Sequence, residues 1–142
     1  MRLLDANVLV YAHREDAPRH AEYNGWLRAV LAGDEPFAVT SMVLTAFVRI
    51  VTHRRVFDPP SPLDSAFAFV DDVRSHDHCI MLEPAARHWQ LFQAQCRKAD
   101  ARGNLVTDAH LAALAVETGS EIVTTDRDFA RFADVRTAHP LA

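Results

Sequence analysis

Apolar residues along this chain fall into two alternating periods. Leu3-Leu4, Phe37-Ala38-Val39, Cys79-Ile80-Met81-Leu82 and Glu121-Ile122-Val123-Thr124 are short aliphatic or β-branched runs, each bounded by polar or turn residues, which is the pattern of strands buried on both faces. Between them apolar positions recur at helical spacing. A short helix is expected over Ala6–Tyr11. A second, with Pro18 in its first turn, runs through Trp26, Leu27, Val30 and Leu31 and stops at Gly33. Ser41 is placed to cap a third from Met42 to about His53, with Val43, Phe47 and Ile50 on one side and Thr45, Arg49 and Thr52 on another. Asp58-Pro59-Pro60-Ser61-Pro62 breaks the pattern. A helix carrying Phe67, Phe69, Val70 and Val73 follows it. Pro84 opens a long helix to about Ala101, closed by Gly103. The next spans Val106 to Gly119, and Asp126 caps a last short helix through Phe132. Val135-Arg136-Thr137 adds an edge strand.

Strands alternating with helices predict an α/β fold: a mostly parallel central sheet of four to five strands flanked by helices. At 142 residues the chain, residues 1–142, is expected to be one domain around one core. Such sheets bind ligands outside the carboxyl ends of their strands, where the topology changes direction.

Composition narrows the class. Hydrophobic residues make up 49% and charged residues 24% of the chain, as expected of a globular protein rather than a disordered one. The run Leu3–Val10 is too short to span a bilayer and lacks the flanks of a secretory signal, so a cytoplasmic protein with no membrane association is expected. Two cysteines, Cys79 and Cys96, are too few for a disulfide scaffold and are expected to be reduced. A net charge of −4 excludes a protein that coats nucleic acid through a generally basic surface. Local basic patches remain at His53-Arg54-Arg55, at Arg97-Lys98 with Arg102, and at Arg127 with Arg131. His76-Asp77-His78-Cys79 has no second ligand pair and no zinc-site spacing, and is read as a loop before a strand.

The chemistry lies in the acids. Asp5 and Asp126 each follow a strand and precede a helix, where a lone Asp serves as an N-cap. Asp108 shares a helix face with Leu111, Ala112 and Ala115, so its carboxylate leads a row of small apolar residues to the rim of the core. His110 lies about 200° around the same helix and is expected at the surface. Asp5, Asp108 and Asp126 converge at one edge of the inferred sheet, and unpaired carboxylates held together repel unless a cation joins them. Oxygen-only ligands suit Mg²⁺ or Mn²⁺. Asn7 adds an amide aimed at the same place.

Three blocks bring a resemblance into view. Leu4-Asp5-Ala6-Asn7-Val8-Leu9, Asn104 to Ala115 around Asp108, and Ile122-Val123-Thr124-Thr125-Asp126-Arg127-Asp128-Phe129 resemble the signature blocks of PIN-domain ribonuclease toxins of the VapC family, part of VapBC toxin–antitoxin systems. The resemblance implies a metal-dependent endoribonuclease acting on cellular RNA, with tRNA and rRNA as plausible substrates for the family. It implies that Asp5, Asp108 and Asp126 are catalytic metal ligands with Asp128 as an auxiliary. A cognate VapB-like antitoxin and a homodimer are implied as well. Arg49, Arg54 and Arg55 are the expected RNA-phosphate contacts. The match departs from the family at Phe47, where a Glu is usual. That departure predicts weaker metal binding, one well-held ion instead of two, or recruitment of Asp128, Asn7 or Thr124 as ligand or support.

Two other classes compete. A phosphotransferase with an Asp5 nucleophile would want Asp-x-Asp, whereas residue 7 is Asn. A silent PIN-like module that binds RNA or antitoxin without cutting is motivated by Phe47.

Overall fold

The computed structural model describes residues 1–142. Its five strands are β1 (Arg2–Leu4), β2 (Phe37–Val39), β3 (Cys79–Met81), β4 (Glu121–Val123) and β5 (Thr137–Ala138), paired throughout in parallel in the order β3-β2-β1-β4-β5. The expected mostly parallel sheet is therefore wholly parallel. Six helices cover it: α1 (Ala6–His13), α2 (His20–Ala32), α3 (Ser41–Val51), α4 (Leu63–Ser75), α5 (His88–Ala99) and α6 (Asn104–Thr118). A 3-10 turn spans Arg127–Arg131. The chain steps outward from β1 to β2 and β3, then returns to the other side of β1 for β4 and β5. The direction of winding thus reverses between β1 and β4, which opens a crevice at their carboxyl ends.

A cluster of 32 buried residues forms the core. Leu3, Leu4, Phe37, Ala38, Val39 and Ile122 from the three central strands are fully buried, as sheets with helices on both faces require. From α6, Ala109, Ala112 and Ala113 are equally buried; their small side chains bring that helix close to the sheet.

Several local expectations change. β3 is an edge strand rather than a buried one, with Ile80 and Met81 each 38% exposed. Ser41 is the first residue of α3 and not its cap: Thr40 holds the cap position, while the Ser41 backbone N–H and hydroxyl both donate to Glu83. Pro18 lies outside α2, which begins after Arg19 in the left-handed region (φ 57°). α5 starts at His88 instead of Pro84, because Glu117 accepts from the backbone N–H groups of Ala85 and Arg87 and holds that segment as a turn. Asp100, with φ 48°, ends α5, and Gly103, with φ 57°, leads into α6. The last strand is Thr137–Ala138, two residues later than the expected start. Both cysteines are free and half-buried. No helix is long and apolar enough to cross a membrane.

Candidate metal centre

Hydrogen bonding at the β1 and β4 ends fixes the first acid. The Asp5 backbone N–H continues the strand pairing by donating to Val123 (3.0 Å), and the residue then stays extended and caps α1. Its Oδ1 accepts from the Ala6 N–H at 2.7 Å. Its Oδ2 accepts from the Thr124 hydroxyl at 2.7 Å and from Asn7 Nδ2 at 3.2 Å. Asn7 Nδ2 also donates to Thr124 Oγ1 (3.2 Å), and Asn7 Oδ1 accepts from the Thr125 N–H (3.3 Å). Burial pushes the Asp5 carboxyl above its ordinary value and the Asp126 charge adds to this, while the Thr124 and Ala6 bonds pull it back.

Asp126 caps the 3-10 turn as expected, accepting from the Asp128 N–H at 2.9 Å. Its own N–H donates to Thr124 Oγ1 at 3.0 Å. Asp108 reaches the same place from α6. Its carboxyl is pushed up to about 6, first by burial and then by the charges of Asp126, Asp5 and Asp128. One oxygen from each of Asp108, Asp126 and Asp128 can be taken such that all lie within 4.8 Å of one another. The structure therefore gathers the four sequence-identified acids, with Asp128 in the tight trio and Asp5 beside it, tied into the Thr124–Asn7 network.

Asp5, Asp108 and Asp126 border a cleft of about 340 Å³ lined also by Asn7, Met42, Ala46, Arg49 and Asn104. Ion pairs elsewhere use Arg2, Arg14, Arg19, Arg28, Lys98 and Arg102, each against an acid outside the cleft. No protein cation neutralises Asp5, Asp108, Asp126 or Asp128. Clustered carboxylates, raised pKa values and an oxygen-only donor set fit a hard divalent cation.

Arg49 lines the cleft, whereas Arg54 and Arg55 sit in the exposed turn beyond α3 and do not. Phe47 is not where its sequence match puts it. It is fully buried, its ring stacked on Phe69 (5.0 Å between centroids) and edge-on to His13 (5.4 Å). On α3 it is the neighbouring Ala46, together with Met42, Val43, Arg49 and Ile50, that lines the cleft beside the acids. Successive helix residues point about 100° apart, so a shift of one position exchanges core for cleft. Sequence reasoning also missed Asn104 and Thr107, which line the cleft on the same face of α6 as Asp108 and Leu111; their spacing of three, four and seven residues from Asn104 was the available signal. His110 is half-buried against His88 and Phe92, not at the surface, and its Nδ1 has no partner.

Residues 2–135 match the sequence profile of the PIN domain. The chain is 48% identical over 140 residues to "Ribonuclease VapC31" of Mycobacterium tuberculosis (strain CDC 1551 / Oshkosh), covering 99% of each protein. The chain belongs to the PIN-domain VapC family. "Ribonuclease VapC43" of Mycobacterium tuberculosis (strain ATCC 25618 / H37Rv) is 43% identical over 141 residues, covering 99% of this chain and 96% of that one. Among solved structures, VapBC2 from Rickettsia felis bound to a promoter DNA fragment superposes with a TM-score of 0.71 at 17% identity, covering 96% of each chain. VapBC-1 from nontypeable Haemophilus influenzae does so with the same TM-score at 10% identity, covering 99% of this chain and 98% of that one. The PIN fold expected from the sequence is the fold found.

Proposed function

We propose that this chain is a metal-dependent endoribonuclease, the toxin of a type II toxin–antitoxin pair, hydrolysing phosphodiester bonds in cellular RNA, with tRNA or rRNA as the substrate class. The observation that carries this reading is the convergence of Asp5, Asp108 and Asp126 in one cleft, with Asp128 grouped against the last two and no protein cation paired with any of the four, in a chain 48% identical to a protein named a ribonuclease. Asp108, Asp126 and Asp128 hold the cation, Mg²⁺ or Mn²⁺, with Asp5 completing its environment. When bound, the cation supplies the positive charge that activates water and offsets charge on the phosphodiester.

The chain's own residues do the rest. Thr124 and Asn7 fix the Asp5 carboxylate so that it does not swing when its neighbours change charge. Arg49 offers a planar fork of donors to RNA phosphate at the cleft, and Arg54 and Arg55 extend that contact beyond α3. No acid attacks covalently; water forms the new bond to phosphorus as the bond to the leaving ribose oxygen breaks. A VapB-like antitoxin is the proposed partner, since the structural neighbours are VapBC assemblies, together with homodimerisation and a cytoplasmic location.

Cleavage of total cellular RNA by the purified chain with Mn²⁺ or Mg²⁺, against EDTA and a folded Asp5→Asn variant, tests the reading. Discrete metal-dependent fragments that vanish in the variant support it. Intact RNA, still bound, favours a silent binding module, a reading motivated by the absence of any acid on the α3 wall.

A further inference from the structure

The two walls of the cleft differ in kind. On one, Asp108 and Asp126 line the cleft and, with Asp128 of the 3-10 turn, bring three carboxylate oxygens within 4.8 Å of one another. Opposite ligands at about 2.1 Å from one small hard cation stand about 4.2 Å apart, so a small side-chain adjustment brings the three oxygens onto a single ion. The other wall is the inner face of α3, formed by Met42, Val43, Ala46, Arg49 and Ile50. Four of these offer no oxygen ligand, and hard divalent ions are not held by hydrocarbon or thioether. In paired-metal nuclease sites the second ion sits about 4 Å from the first and needs oxygen ligands of its own. Here the α3 wall presents the methyl group of Ala46 toward that space.

The fifth residue of the wall is a fixed positive charge. Arg49 borders the same cleft as the carboxylates of Asp5, Asp108 and Asp126 yet forms no ion pair and no side-chain hydrogen bond. An exposed arginine that stays off the acids keeps its five donors available to an anion seated between the walls.

We propose that the centre holds a single divalent ion, and that Arg49 supplies from α3 the second positive charge on the reacting phosphate that a second ion would otherwise give. This rests on the nuclease reading above. Arg49 donates N–H bonds to a non-bridging phosphate oxygen on the α3 side, forms no covalent bond and passes no proton, because guanidinium stays protonated throughout the working pH range. Its contribution grows as charge builds on those oxygens in the transition state.

Counting Mn²⁺ bound to the full-length chain, by calorimetric titration and by the electron-spin signal of free Mn²⁺, tests the ion number apart from activity. One ion is expected for the wild type and for Arg49→Ala, and two for Ala46→Glu, which places a carboxylate on the α3 wall at a half-buried helix position that Glu suits. Ala46→Gln, close in shape but uncharged, is expected to keep one. Arg49→Ala is expected to lower RNA cleavage about 100-fold or more, the scale of losing one donor to a developing anion. The Ala46→Glu, Arg49→Ala double variant is expected to regain at least tenfold of that. Two ions in the wild type with RNA still cut would overturn the single-ion centre and leave the nuclease standing. Full cleavage by Arg49→Ala, or no rescue in a double variant that binds two ions, would overturn the role of Arg49. A wild type that binds no Mn²⁺ and leaves RNA intact overturns the nuclease reading itself. If Ala46→Glu does not fold by circular dichroism, the wild-type ion count and the Arg49→Ala cleavage rate still decide.

Discussion

Thr124 and Asp5, 119 residues apart in the chain, are joined by a hydrogen bond of 2.7 Å from hydroxyl to carboxylate. A hydroxyl has one proton and two lone pairs, and Thr124 uses all three: it donates to Asp5 and accepts from Asn7 Nδ2 and the Asp126 N–H. One side chain at the end of β4 therefore sets the register of both strand-end acids. Thr124→Val keeps the shape and removes every one of these bonds. Mn²⁺ affinity is expected to fall roughly 10- to 100-fold, the usual cost of losing a residue that orients a ligand, and stability to fall by about 1 to 3 kcal/mol because buried partners are left unpaired. Thr124→Ser should keep both. A valine variant that binds Mn²⁺ like the wild type would show that Asp5 needs no such support.

Phe47 is expected to behave as a core residue with no share in the metal centre. It is fully buried between Phe69 and His13, so Phe47→Ala should cost about 3 to 5 kcal/mol in urea unfolding. Phe47→Glu should fail to fold rather than gain a metal ligand, since an unpaired carboxylate there would be buried. A folded Phe47→Glu protein that binds more Mn²⁺ than the wild type would reverse the assignment of α3 faces.

That residue also shows what the sequence could and could not convey. Asp5 and Asp126 were legible because each follows a run of strand residues, and parallel strands present their carboxyl ends together. Asp108 was legible because its spacing to Ala112 and Ala115 is a property of one helix. Which side of α3 meets the acids is not local: Phe47 and Ala46 both sit in an apolar stretch, and only the packing of α3 against Phe69 and His13 selects between them. The same holds for β3, whose Cys-Ile-Met run reads as buried although no strand pairs on its outer side. At α5, a contact between Ala85 and Glu117, 32 residues away, overrides a local start at Pro84. Such long-range choices leave no periodic trace.

Asp108 makes stability depend on pH in a particular direction. Its carboxyl is raised from 3.8 to about 6 in the folded chain, so between those values the native state holds a proton that the unfolded chain has released. Stability from this group is then lost as pH rises through that window, and the loss is complete above it. For a half-exposed carboxyl the effect is discounted for solvent screening to about 1 kcal/mol. In EDTA at pH 7.5, Asp108→Asn is therefore expected to melt a few degrees above the wild type, and at pH 3.5 to match it. Saturating Mn²⁺ should reverse the order at pH 7.5, since it binds the folded wild type better than the variant. Melting curves across these conditions check the sign; a variant less stable than the wild type in EDTA at pH 7.5 would mean that the acids do not repel one another.

Arg54 and Arg55 lie in the turn that follows α3, exposed and without an ion pair, one short step along the chain from Arg49 in the cleft. If they hold the RNA backbone as it leaves the acids, their charge acts through counterion release. Replacing both with Gln should then lower the slope of log affinity against log salt by about 1.4 for single-stranded RNA. KM should rise while kcat at saturating RNA stays the same, because these residues meet the substrate and the transition state alike. Arg49→Ala should instead lower kcat. Titrating a labelled RNA at several salt concentrations separates the two effects, and an unchanged salt slope in the double Gln variant would place the RNA path on another face, such as that of Arg127.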